Sequence, residues 1–260
     1  MRFVRYASEG GARYGLVEGD QVQELRGDPW AGYEPTGSTQ AVSSIKILAP
    51  CEPSKVIAIG LNYKDHAAEA KLELPLEPLV FLKAPSSIIA EGETIVIPKE
   101  SIRTDYESEL VVIMKDRCRN VPPSEALSHV LGYTCGNDVS ERYYQKKDGQ
   151  WARAKSFDTF GPMGPFIVTD VDPSDLKIEH RLNGVTRQNS RTSQLIFDVP
   201  AIISFCSRIM TLLPGDVIWT GTPAGVGGFA QPPLFLKDGD LCEVVVEGVG
   251  TLTNPVRQEL

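Results

Sequence analysis

The stretch Arg103–Met114, R-T-D-Y-E-S-E-L-V-V-I-M, constrains the fold more than any other. Its β-branched run Val111-Val112-Ile113 specifies a strand. Strand side chains alternate between faces, so Asp105, Glu107 and Glu109 are expected on one face and Tyr106, Ser108 and Leu110 on the other. Carboxylates two apart lie about 7 Å from one another, and burying several together without a cation is strongly unfavourable. On a strand with one wet face they would form a solvated acidic surface. The apolar run after Glu109 instead carries the strand into a core, which favours an all-oxygen site for a hard divalent ion.

A chain of 260 residues can bury a sizeable core and suits one large domain, residues 51–260, with a small β domain over residues 1–50. The net charge of −8 argues against nucleic acid or an anionic membrane as partner. An anionic substrate stays open, because a local Arg, Lys or metal overrides the mean. Cys51, Cys118, Cys135, Cys206 and Cys242 are scattered and never in C-x-x-C spacing, which suits reduced thiols in a cytoplasmic protein. The N-terminus lacks the apolar region of a signal peptide, and no apolar run approaches membrane-spanning length.

Short strands are expected at Arg2–Tyr6, Tyr14–Val17 and Gln21–Leu25, followed by a Gly/Pro/Ser/Thr-rich loop or linker over 26–44. Lys55–Gly60 reads as a buried strand, with Asn62 as N-cap of a helix over Tyr63–Lys71. Further strands are expected at Val80–Lys83, Thr94–Ile97, Leu131–Cys135, Pro165–Thr169, Asp216–Trp219, Leu241–Glu247 and Thr251–Val256. Asn183-Gly184, between Ile178–Leu182 and Val185–Gln188, is the strongest hairpin signal. Helices fit Pro122–Val130, Val139–Lys147 and Val199–Leu213. Strands outnumber helices and hairpins recur, so the fold class is a mixed, β-rich α+β architecture with peripheral helices.

Four further stretches combine polar groups with turn chemistry. His66 and Glu69 are three apart, neighbours on one helix face, where a carboxylate can orient an imidazole for proton transfer; a surface pair has the same spacing. Asp138 stands at a strand–helix junction, either as N-cap or as metal ligand, with Arg142 and Gln145 following on one helix face. Lys155 lies among small and aromatic residues, a setting in which a lysine reaches solvent or pairs with an anion. The Gly-rich run Trp219–Gly228 offers backbone N–H groups and two hydroxyls to an anionic group, although it lacks a P-loop ending.

Taken in order, N-Y-x-x-H-x-x-E, D-Y-E-x-E-L, N-D-x-S-x-R, K-S-F-D, L-N-G and T-G-T-P-x-G-V-G resemble the fumarylacetoacetate hydrolase family from Val56 to Pro255. The resemblance implies a β-roll-like fold, a homodimer and a Mg²⁺ site (Mn²⁺ or Ca²⁺ in some members) held by Glu107, Glu109 and Asp138. By the same match Asp105 orients ligands, Lys155 is the active-site lysine, and His66 and Glu69 form an acid–base dyad on a segment that closes over the site. Arg142, Gln145, Thr222, Gly221 and Tyr63 then contact substrate. Two positions depart from the pattern: Tyr143 stands where many members have Asp, and Leu61 where they often have Arg.

These parts imply a Mg²⁺-dependent enzyme for a small anionic β-keto or diketo acid, with hydrolytic C–C cleavage of an acylpyruvate as first choice. Oxaloacetate tautomerisation or decarboxylation and isomerisation of a 2-hydroxyhepta-2,4-diene-1,7-dioate are the alternatives within the class. A metal-stabilised binding protein without turnover is the alternative outside it; intact His66, Glu69 and Lys155 weigh against that, since a scaffold needs none of them.

Overall fold

Val56–Gly60 and Ser108–Met114 are buried at every residue, because they lie in the middle of a sheet covered on both faces. The computed structural model describes all 260 residues. Its large sheet runs Gly32–Ala41, Gln21–Asp28, Gly11–Glu18, Arg2–Ser8, Gly161–Val168, Val130–Asn137, Ser108–Met114, Val217–Trp219, Val56–Gly60, Leu79–Lys83. Neighbours are antiparallel except Val217–Trp219 beside Val56–Gly60. A second sheet is ordered Val185–Arg191, Lys177–Leu182, Leu241–Val246, Gly250–Gln258, Ile95–Ile97. The fold is thus β-rich and mixed, as its composition of elements predicts.

Strand alternation divides the core. Leu110, Val112 and Met114 point into one cluster with Ile178, Val244 and Leu252 of the second sheet. Val111 and Ile113 point into another with Val56, Trp219, Phe3 and Leu25. The Asn183-Gly184 hairpin forms with both residues at positive φ (55° and 75°), as the tight two-residue turn requires.

Four helices attach to this frame: α1 (Lys64–Ala70), α2 (Arg142–Asp148), α3 (Ala152–Lys155) and α4 (Val199–Ile209). Asp198 caps α4 by accepting the Ala201 N–H at 2.9 Å, and Val199, Ile202, Ile203 and Cys206 bury its inner face in the first cluster. The Pro122–Val130 segment is a 3₁₀ turn over Pro123–His129. All five cysteines are buried and unpaired.

The 26–44 stretch and two helix caps differ from expectation. The Gly/Pro-rich 26–44 stretch holds the edge strand Gly32–Ala41, paired to Gln21–Asp28. An edge strand needs no apolar alternation, and Pro35 stands beside a register shift where a missing N–H is tolerated. The four N-terminal strands also continue the main sheet, since Arg2–Val4 pairs with Phe166–Val168.

Asn62 does not cap α1. Tyr63 occupies the cap with no side-chain bond, while the Asn62 amide donates to the Phe197 and Thr220 carbonyls at 3.0 and 2.7 Å and accepts the Phe197 N–H at 2.9 Å. Asp138 caps no helix either: Ser140–Glu141 forms a short strand first, and Glu141 caps α2 by accepting the Tyr143 N–H at 3.0 Å.

Candidate active site

The acidic stretch is not one continuous strand. Thr104–Asp105 pairs with Ser140–Glu141, and pairing within the large sheet begins only at Ser108. Tyr106 and Glu107 bridge the two, so Asp105 is drawn away from its two neighbours in the motif. Glu107, Glu109 and Asp138 come together instead, with carboxylate oxygens within 4.8 Å of one another and all three residues buried. The backbone holds that arrangement: the Glu107 N–H donates to Asn137 Oδ1 at 2.9 Å, and the Asp138 N–H to the Glu107 carbonyl at 2.8 Å.

Three cations surround the trio. Lys155 Nζ donates to Glu107 Oε2 at 2.8 Å and Asp138 Oδ2 at 2.6 Å. Lys83 Nζ donates to Asp138 Oδ1 at 2.5 Å and to the Phe160 carbonyl at 3.0 Å. Arg142 donates to Asp105 Oδ2 at 2.8 Å and Glu107 Oε1 at 2.5 Å. Asp105 thus reaches the trio through Arg142. With Asp105 included, four carboxylates meet three cations, and the unmatched one is Glu109, which receives only the Gly221 N–H at 2.8 Å.

The electrostatics follow this partition. Burial would raise the Glu107 carboxyl, but Lys155 and Arg142 outweigh it and hold the pKa at about 2. Burial, then Asp138 and Glu107, push Glu109 well above the usual carboxylate range. Burial also works against charge on both lysines. Asp138 and Glu107 together hold Lys155 above its ordinary value, whereas Lys83, with Asp138 alone in contact and Lys155 nearby, falls below its own. An all-oxygen donor set with one uncompensated carboxylate fits a hard divalent cation, which would be held by Glu107, Glu109 and Asp138.

The Gly-rich run serves the protein's own carboxylates. Gly221 N–H goes to Glu109, Gly225 N–H to Glu69 Oε1 at 2.9 Å, and the Gly227 and Gly228 N–H groups to the two oxygens of Asp105 at 2.8 Å each. Gly221 has φ 101°, and a Cβ there would meet Asn62 Cβ at 2.8 Å, so only glycine brings that N–H to Glu109. The expected substrate-facing N–H groups are therefore occupied. Thr222 remains: its Oγ1 accepts from Gln188 Nε2 at 2.8 Å, and its side chain lines the cavity.

On α1, His66 Nδ1 lies 3.0 Å from Glu69 Oε2 and leaves Nε2 without a protein partner. The helix is pinned over the site by Glu69 on Gly225 and by Ser190 donating to Asp65 Oδ2 at 2.5 Å. His66, the trio, Lys155, Arg142, Gln145 and Thr222 all line one cavity of about 540 Å³. Gly221 acts from behind, through Glu109. Tyr63 is buried in the first core cluster and does not line the cavity. Sequence reasoning passed over Lys83, an ordinary strand-terminal lysine by pattern, and the apolar wall that includes Leu79, Phe81, Trp151 and Phe235.

Residues 55–257 match the fumarylacetoacetate (FAA) hydrolase C-terminal family. The chain belongs to that family. Residues 1–50 match a second family, Rv2993c-like N-terminal. Among relatives, the mitochondrial oxaloacetate tautomerase fahd2 of Xenopus laevis is 46% identical over 82% of this chain and 69% of its own. A 2,4-didehydro-3-deoxy-L-rhamnonate hydrolase from a Sphingomonas species is 39% identical over 99% of this chain and 96% of its own. The crystal structure of a 5-carboxymethyl-2-hydroxymuconate delta-isomerase from Mycobacterium smegmatis superposes with TM-score 0.91 at 44% identity, covering 100% of both chains. The protein is thus an enzyme of a family whose members include isomerases, tautomerases and hydrolases. No helix is long and apolar enough to cross a membrane.

Proposed function

We infer that the site removes and returns a proton next to the ketone of a small 2-oxo acid, with keto–enol tautomerisation as the turnover. The observation that carries this reading is that His66, backed by Glu69 at its Nδ1, and the buried carboxylate trio open onto one cavity. A divalent cation (Mg²⁺, or Mn²⁺ or Ca²⁺) held by Glu107, Glu109 and Asp138 would supply Lewis-acid stabilisation of a developing oxyanion.

The remaining work belongs to side chains. Glu69 accepts from Gly225 on one oxygen and faces His66 Nδ1 with the other, so it favours the tautomer whose Nε2 is a free base. Lys155 and Arg142 hold Glu107 ionised. Gln188 Nε2 must donate to Thr222, because Gln188 Oε1 already accepts the Ser108 N–H at 2.9 Å; the Thr222 proton is then free for a substrate oxygen. Tautomerisation is favoured by the names of relatives such as the Xenopus tautomerase. Hydrolytic cleavage of an acylpyruvate uses the same enolate and is the second reading, supported by the hydrolase that matches nearly the whole chain.

Paired rates test the choice: enol-to-keto conversion of oxaloacetate and pyruvate release from acetylpyruvate, with Mg²⁺, in parent and His66→Ala. Losing general-base assistance costs about 10²–10⁴-fold. A loss of that size on oxaloacetate, with little pyruvate release by the parent, is expected. Rapid pyruvate release by the parent, lost in the variant, would establish hydrolysis instead, and unchanged rates on both would remove His66 from the chemistry.

A further inference from the structure

The strand Ser108–Met114 begins at the carboxylate trio and runs out into a second group of metal-type ligands. Asp116, Cys118 and His129 bring a carboxylate oxygen, a thiol sulfur and an imidazole nitrogen within 4.8 Å of one another. Glu109 and Met114 are about 17 Å apart along the strand, and none of the three residues lines the active-site cavity. The group is thus separate from the candidate active site.

All three ligands belong to the connection between Ser108–Met114 and Val130–Asn137. Its backbone is fixed close to each of them. The Lys115 N–H donates to the His129 carbonyl at 2.8 Å, which closes the connection beside Asp116. Cys118 and Leu212 exchange two N–H to carbonyl bonds at 3.0 Å each. Just beyond, the Asn120 N–H donates to the Ser207 carbonyl at 3.0 Å and the Val121 N–H to Ser207 Oγ at 2.9 Å, tying the chain to α4. Cys118 is 6% exposed, whereas the Asp116 and His129 side chains keep 47% and 25% exposure. A buried sulfur therefore stands beside two ligands that an ion can reach from solvent.

The donor set decides which ion. Sulfur, nitrogen and oxygen together suit a borderline cation such as Zn²⁺, which takes sulfur at about 2.3 Å and nitrogen or carboxylate oxygen at about 2.0–2.2 Å. Two ligands on one tetrahedral zinc then lie about 3.4–3.6 Å apart. His129 Nδ1 is 2.5 Å from Asp116 Oδ1, so that pair parts by about 1 Å while the sulfur draws nearer. The exposure of Asp116 permits its movement.

We propose that Asp116, Cys118 and His129 form a second metal site, for Zn²⁺, with its fourth position left to water. The sulfur binds as thiolate and its proton leaves to solvent. The ion clips the connection across its width and stabilises it. The trio, built of oxygen alone, suits Mg²⁺, so the two sites sort two ions by donor chemistry.

Co²⁺ titrated into the reduced, Mg²⁺-saturated chain tests the site without reference to activity. One equivalent should give a thiolate-to-cobalt charge-transfer band in the near ultraviolet, and Zn²⁺ should abolish it by displacement. Cys118→Ser should lack the band, and Glu109→Gln, altered only at the trio, should keep it. Removing a residue that merely supports a metal ligand costs about 10–100-fold in affinity. His129→Ala, which deletes a ligand, should therefore weaken Zn²⁺ binding by at least about tenfold. Zn²⁺ should also raise the thermal midpoint of the parent and of Glu109→Gln, but not that of His129→Ala. Because Cys118 is packed in the core and its variant can fail to fold, half-exposed His129 and Asp116 (as Asp116→Asn) carry the test independently. No band in the parent, a band that survives Cys118→Ser or is lost in Glu109→Gln, or unchanged Zn²⁺ affinity in His129→Ala and Asp116→Asn overturns the proposal.

Discussion

The two faces of the short stretch 105–109 are equally buried and chemically opposite. Glu107 and Glu109 face charged groups, while Ser108 and Tyr106 face a neutral layer. Behind the site, Ser108 Oγ lies 2.9 Å from His180 Nδ1, the His180 ring stacks on Tyr106 at 4.1 Å, and Gln188 ties the Ser108 N–H to Thr222. Burial penalises ionisation on both sides. In front, Lys155 and Arg142 override that penalty for Glu107. Behind, no anion compensates, and burial drives His180 down to about 3, so it stays a neutral imidazole. Charge survives burial here only where the opposite charge was buried with it.

Lys83 offers the largest test of that contrast. Lys83→Met keeps most of the stem volume and deletes one partner of Asp138. Breaking a buried pair from one side costs about 3–5 kcal/mol. Denaturant unfolding in chelator should show a loss of that order, and a loss below roughly 1 kcal/mol, the scale of a surface pair, would mean that Asp138 is satisfied by Lys155 alone.

Glu109→Gln comes next. With Mg²⁺ at one hundred times its dissociation constant, the parent should gain about 2.7 kcal/mol over chelator. The variant should gain far less. In chelator, however, it should be no less stable than the parent, because the amide removes a carboxyl that is pressed against Asp138 and Glu107. Thermal melts with Mg²⁺ and with chelator measure both, and an equal Mg²⁺ gain in parent and variant would exclude Glu109 as a ligand.

Much of this contrast was legible in the residues and part was not. Periodicity located Ser108–Met114, Val56–Gly60 and the Asn183-Gly184 hairpin, because burial on both faces and a left-handed turn each leave a local signature. The trio was legible through D-Y-E-S-E-L and N-D, although the expected common face of Asp105, Glu107 and Glu109 fails for Asp105, because pairing breaks at Tyr106 and Glu107. Lys83 carries no motif. Its role comes from the distant Asp138 carboxylate that it reaches, a tertiary property. The Gly-rich run was recognised as an anion grip, but only the fold shows that the anions are Glu109, Glu69 and Asp105.

The smallest effect belongs to the neutral side and is read by pH. His180 has an ordinary value of 6.5 and about 3 when folded, with burial as the cause. Between those values the unfolded chain binds a proton that the native chain does not, so this residue's contribution to stability is intact above 6.5 and declines as the pH falls toward 3. The slope is about 1.4 kcal/mol per pH unit once well below 6.5. His180→Leu removes the titrating group. It also leaves the Ser108 hydroxyl without its partner, a cost of about 1–3 kcal/mol, but that cost does not vary with pH. Unfolding free energies measured at pH 7.0, 5.5 and 4.5 therefore separate the two effects: a constant offset reports the lost hydrogen bond, and convergence of the curves on acidification reports the neutral histidine. Curves that stay parallel across that range would mean that His180 takes up its proton in the folded protein, and the neutral layer behind the carboxylates would then be a charged one.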